Sequence, residues 1–126
     1  MKYSLWFPTH GAHDGSLRGW LRDLFQHQPA YKLDGTRQAI VARSITELCL
    51  DRGWRLVSIE PGEMKVSAVV ECERKPERVI HDFKLTASRA LASLDGYGPA
   101  IRRFNRRAHF RQLDDSQRSA NAAAAE

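Results

Sequence analysis

Residues 54–72 read WRLVSIEPGEMKVSAVVEC, two apolar runs joined by Pro61-Gly62. Short β-branched runs separated by turn chemistry predict an antiparallel hairpin. On the second run, period-two alternation places Met64, Val66, Ala68 and Val70 on a core face. The other face then carries Lys65 and Ser67 side by side, next to Val69. An amine and a hydroxyl two residues apart on a core-forming strand ask for a chemical explanation.

Working outward, the hairpin is flanked by helical patterns on both sides. Upstream, Ile40, Val41, Ile45, Leu48 and Cys49 recur at helical spacing over Arg37–Arg52, with Thr36 as the expected N-cap and Gly53 as the stop. Downstream, Lys75-Pro76-Glu77 opens a second helix, with proline at the first turn and an acid early. Its stripe of Val79, Ile80, Phe83, Ala87, Ala90 and Leu91 suits packing on a sheet, and Gly96 and Gly98 end the unit. KYSLWFPT (2–9) has the character of a first strand, stopped by Pro8 and Gly11. Residues 10–36 read as a long irregular connection with a helical turn over Trp20–Phe25. AIRRFNRRAHFRQL (100–113) reads as a last strand or hairpin, and residues 114–126 as a weak helix or frayed tail. The order is β-α-β-β-α-β. It predicts an α+β, ferredoxin-like antiparallel sheet with helices packed on one face, a domain over 1–113 and a polar, Ala-rich tail over 114–126.

The chain has 126 residues, 42% hydrophobic and 28% charged, which suits one soluble domain with one core. No apolar run reaches a membrane span, and the N-terminus lacks the apolar core of a signal peptide. Two cysteines, Cys49 and Cys72, read as buried thiols in a reducing cytoplasm rather than as a disulfide framework or metal knuckle. The net charge of +5 is unevenly placed: Arg102, Arg103, Arg106, Arg107 and Arg111 fall in 96–113, a segment without a single acid. Such a stripe is the footprint of a polyanion, most often nucleic acid. With Phe104, His109 and Phe110 interleaved, it suits phosphate contacts plus base stacking, with Lys84 and Arg89 next in line.

Four blocks carry a resemblance to a known family. WFPTHGAHDGSLRGWL (6–21), ITELCLDRGWRLVSIE (45–60), KPERVIHDFKLTASRAL (75–91) and RRFNRRAHFRQL (102–113) occur in the order and spacing of the insertion-sequence-200-like tyrosine transposases. They include the REP-associated branch of that HUH superfamily. The resemblance implies a catalytic His-hydrophobic-His pair on the second hairpin strand, holding a divalent cation at the scissile phosphate. An ungapped count puts those two positions on Lys65 and Ser67. An ammonium cannot ligate Mg²⁺ or Mn²⁺, and a lone hydroxyl is a poor ligand for either. The resemblance also implies a nucleophilic tyrosine on a C-terminal helix. The tyrosines here are Tyr3, Tyr31 and Tyr97, none of them beyond the basic segment. The histidines His10, His13, His27, His81 and His109 form no alternative catalytic set.

These readings imply a catalytically degenerate member of the family, with no catalytic residue, metal or other cofactor. It would bind single-stranded or hairpin DNA, or structured RNA, without cutting it. Lys65 and Ser67 then either hold a phosphate or are merely tolerated in a decayed site. Two alternatives stand beside it: a nicking transposase completed by a partner chain, and a protein-interaction subunit that keeps only the family's dimer surface. A homodimer or a larger complex is expected in each case.

Overall fold

The computed structural model describes residues 1–11, 30–96 and 102–113. In chain order the elements are β1 (Lys2–Pro8), α1 (Gly35–Arg52), β2 (Arg55–Pro61), β3 (Lys65–Glu71), α2 (Pro76–Asp95) and β4 (His109–Leu113). All strand pairings are antiparallel, in the order β2-β3-β1-β4. Each helix connects two parallel strands with a third strand paired between them, the split β-α-β arrangement expected from the sequence.

Local signals set the helix ends. The Asp34 carboxylate accepts from the Arg37 backbone N–H at 2.8 Å and caps α1. The expected cap, Thr36, instead lies inside the first turn, because Asp34 reaches the third helical amide. Gly53 closes α1 in the left-handed region, at φ 73°, where glycine has no Cβ penalty. Its N–H and that of Trp54 donate to Leu50 and Cys49, the paired bonds of a Schellman stop. Pro76 opens α2 and Gly96, at φ 68°, ends it with one bond to Ala92.

The core lies between the sheet and the helix layer. Tyr3, Leu5 and Phe7 of β1 and Val66, Ala68 and Val70 of β3 point into it. They meet Val41, Ile45 and Cys49 of α1, and Val79, Phe83, Ala87 and Leu91 of α2. Burial pushes the Cys49 thiol up to about 11, with Cys72 nearby adding to the shift. Ala90, expected in the α2 stripe, is only half-buried. Met64 is a second departure. It precedes β3, and its carbonyl accepts from the backbone N–H (2.8 Å) and hydroxyl (3.2 Å) of Thr9, tying down the end of β1.

Two strand pairings carry a local irregularity. On β2 the register shifts between Leu56 and Ser58, so Val57 bulges out and interrupts the ladder. Beside β1, Trp6 pairs with His109 and Thr9 bridges Phe104. Four residues, 105–108, therefore stand opposite two, Phe7 and Pro8. The chain also leaves β1 at Gly11 and returns at Ala30 in contact. Tyr31 N–H donates to the His10 carbonyl at 2.8 Å, and a Cβ at Gly11 would lie 2.6 Å from Ala30 Cα.

Candidate nucleic-acid interface

The helices cover one face of the sheet, and the pleat sends every second side chain to the other. Antiparallel register lines those side chains up in rows across the strands. One row is Glu60, Ser67, Trp6 and His109; Lys65 stands opposite Pro8, and Arg111 opposite Ser4. Lys65 and His109 are exposed and Ser67 is half-buried. The Trp6 and His109 rings stack, with centroids 4.2 Å apart and planes 18° from parallel. The Lys65 ammonium lies 5.6 Å from the Trp6 centroid, within cation–π range. Trp6 escaped the sequence reading although its signal was available: it is the aromatic at an outward position of β1, between inward Leu5 and Phe7.

The basic segment divides. Arg102, Arg106, Arg107 and Arg111 are exposed. Arg103 is buried, and its Nε donates to Asp95 at 3.2 Å. Asp95 comes from the last turn of α2, so an acid outside the segment does pair with one of its arginines, against expectation. The same carboxylate accepts from Tyr31 at 2.7 Å and from Arg37 at 2.9 Å. Burial pushes the Asp95 carboxyl up, but the bonds from Tyr31, Arg37 and Arg103 outweigh it and hold it below the ordinary range. Burial and the hydrogen bond to Asp95 raise the Tyr31 phenol, the opposite of what an activated nucleophile needs.

The aromatic residues divide too. Phe104 is buried edge-on against Phe7, with centroids 5.2 Å apart, and so is not a stacking surface. Phe110 lies opposite Leu5, on the helix side of the sheet, and meets Tyr3 edge-on. Only His109 of the three reaches the open face. Lys84 is occupied as well. Its ammonium donates to the carbonyls of Asn105 (2.8 Å), Arg107 (3.3 Å) and Arg106 (3.4 Å), using all three of its donors. Burial lowers its pKa. It is a bracket for the 105–108 bulge, not a free phosphate contact. Arg89 is exposed on α2, two residues from the inward Ala87, and so stands on the helix side, away from Lys65. Tyr97 and His13 lie outside the described residues.

No protein-family model and no curated protein matches the chain. Solved structures do. A provisionally assigned transposase from Deinococcus radiodurans R1 superposes with a TM-score of 0.64 at 12% identity, over 99% of this chain and 88% of that one. A REP-associated tyrosine transposase bound to a REP hairpin superposes with a TM-score of 0.56 at 7% identity. That match covers 96% of this chain and 61% of the other, longer one. The chain has the fold of these transposases.

On that transposase fold, the donor set at Lys65 and Ser67 does not fit a divalent cation. The ammonium repels it and the hydroxyl is a weak ligand. Glu60 and His109 end the same row three strand spacings apart, about 14 Å between backbones, too far to share an ion. The face is instead built of an aromatic pair with cations beside it.

Proposed function

We propose that this chain is a degenerate relative of the insertion-sequence-200-like and REP-associated transposases that binds single-stranded or hairpin DNA without cleaving it. The observation that carries the reading is Lys65 on the open face of a transposase fold. It supplies positive charge where the resemblance implies a metal-polarised phosphate, and an ammonium can hold a phosphate but cannot replace the Lewis acid. Exposed Arg106, Arg107 and Arg111, at the edge beside that face, extend the positive surface. Structured RNA offers the same phosphates and is the second substrate to try. The chain works as a homodimer or within a larger complex, in the cytoplasm, where the free thiols of Cys49 and Cys72 stay reduced.

The test is labelled hairpin DNA incubated with the protein, with Mn²⁺ and with chelator. The expected result is a retained, uncut complex of equal affinity in both, weakened a few-fold by Lys65→Ala. A covalent protein–DNA adduct would establish a nicking enzyme instead. Absence of any complex would leave an interaction subunit.

A further inference from the structure

We infer that the open sheet face holds an unpaired nucleotide, its base stacked as a third ring on the Trp6–His109 column and its flanking phosphates on Lys65 and Arg111. This rests on the nucleic-acid reading above and goes beyond it by assigning the base-binding surface and requiring the base to be unpaired. Three observations converge. Trp6 is 38% exposed, although its neighbours Leu5 and Phe7 in β1 are buried, so a large aromatic is left in water on a face where its neighbours across and along the strands include Ser4, Ser67 and Lys65. Its ring is already held by parallel stacking on His109, so little conformational freedom remains to be lost when a flat ligand docks. The cations flank the column diagonally. Lys65 lies opposite Pro8 and Arg111 opposite Ser4, which places their backbones about 17 Å apart, with Trp6 between them. That separation puts one cation on each side of a stacked base along a single strand.

Every base has a π-face, so such a column is sequence-tolerant, and a base inside a duplex cannot reach it. A double-stranded stem would still meet Arg106 and Arg107 through its phosphates, which separates the two surfaces experimentally.

The probes are a short single-stranded DNA, the same strand with abasic sites, and a blunt-ended duplex without a loop, titrated by fluorescence anisotropy. The wild-type protein should bind the intact strand about tenfold more tightly than the abasic strand, as one stacked base predicts. Trp6→Leu should erase that difference and leave binding of the loop-free duplex, which meets Arg106 and Arg107, unchanged. Equal affinity of the wild type for intact and abasic strands would overturn the inference while the nucleic-acid reading stands. Failure to bind any of the three would remove both. Should Trp6→Leu not fold, a Trp20→Phe, Trp54→Phe variant keeps Trp6 as the sole indole. Quenching by the intact strand and not by the abasic one is then the expected result, and no quenching by either overturns the inference.

Discussion

At the scale of single residues, what decides a side chain's role here is which groups have already claimed its charge. Arg103 and Arg106 are three positions apart in one basic run, yet the first is buried against Asp95 and the second is exposed. Removing one member of a buried ion pair strands the other, so Arg103→Ala or Asp95→Asn should each destabilise the fold by about 3 kcal/mol at neutral pH in urea unfolding. The pH dependence has a definite sign. The folded pKa of Asp95 is depressed below its unfolded value, so its contribution is present above that unfolded value, near 4, and is lost as pH falls through the folded one. The stability gap between wild type and Asp95→Asn should therefore be largest at neutral pH and shrink progressively below about pH 4. A gap that did not change with pH would mean that packing, not charge, holds the cluster.

Elements show the same logic in their backbone. The 105–108 bulge places four residues opposite two and leaves successive carbonyls without ladder partners, and the Lys84 ammonium collects three of them. Lys84→Met keeps most of the stem but strands those carbonyls. It should cost about 1–3 kcal/mol and speed amide exchange at residues 106–108 before it does so in β1. The bulge in turn projects the side chains of Arg106 and Arg107. Replacing Arg106, Arg107 and Arg111 with Gln should leave the melting temperature nearly unchanged. It should also flatten the slope of log affinity against log salt by about 2 for single-stranded DNA, at roughly 0.7 per phosphate contact. Adding Arg103 to that set would instead destabilise the fold by stranding Asp95, so a variant that includes Arg103 cannot report on binding alone.

For the whole molecule, a two-layer architecture leaves one sheet face and two sheet edges to be accounted for. The edge strand β2 is interrupted by the Val57 bulge, whereas β4 pairs in unbroken register with β1 and exposes four successive side chains, His109 to Gln112. If the chain self-associates, β4 is the edge better suited to it. Light scattering at tens of micromolar should give twice the chain mass, and a monomer there would count against the homodimer. Among the described residues no helix is long and apolar enough to cross a membrane.

The order of elements, a turn after Pro61, both glycine stops and most of the inward stripes were legible in the sequence because each depends on neighbours within about one helical turn or one hairpin. Pro61 itself, however, closes β2, and Met64 and Ala90 fall outside the core. The alternation that puts Lys65 and Ser67 together on β3 is of the same kind, since a strand's period follows from backbone geometry alone. What needed tertiary structure was every assignment that depends on partners far along the chain. Arg103 meets Asp95 from α2, Lys84 reaches across to 105–107, and Phe104 enters the core beside Phe7. Trp6 finds His109 only because β4 returns beside β1, more than a hundred residues later. A local pattern says which way a side chain points; only the pairing of distant strands says what it meets there. The fold was therefore readable from the chain, while the division of its basic and aromatic residues into buried struts and exposed surface was set by packing.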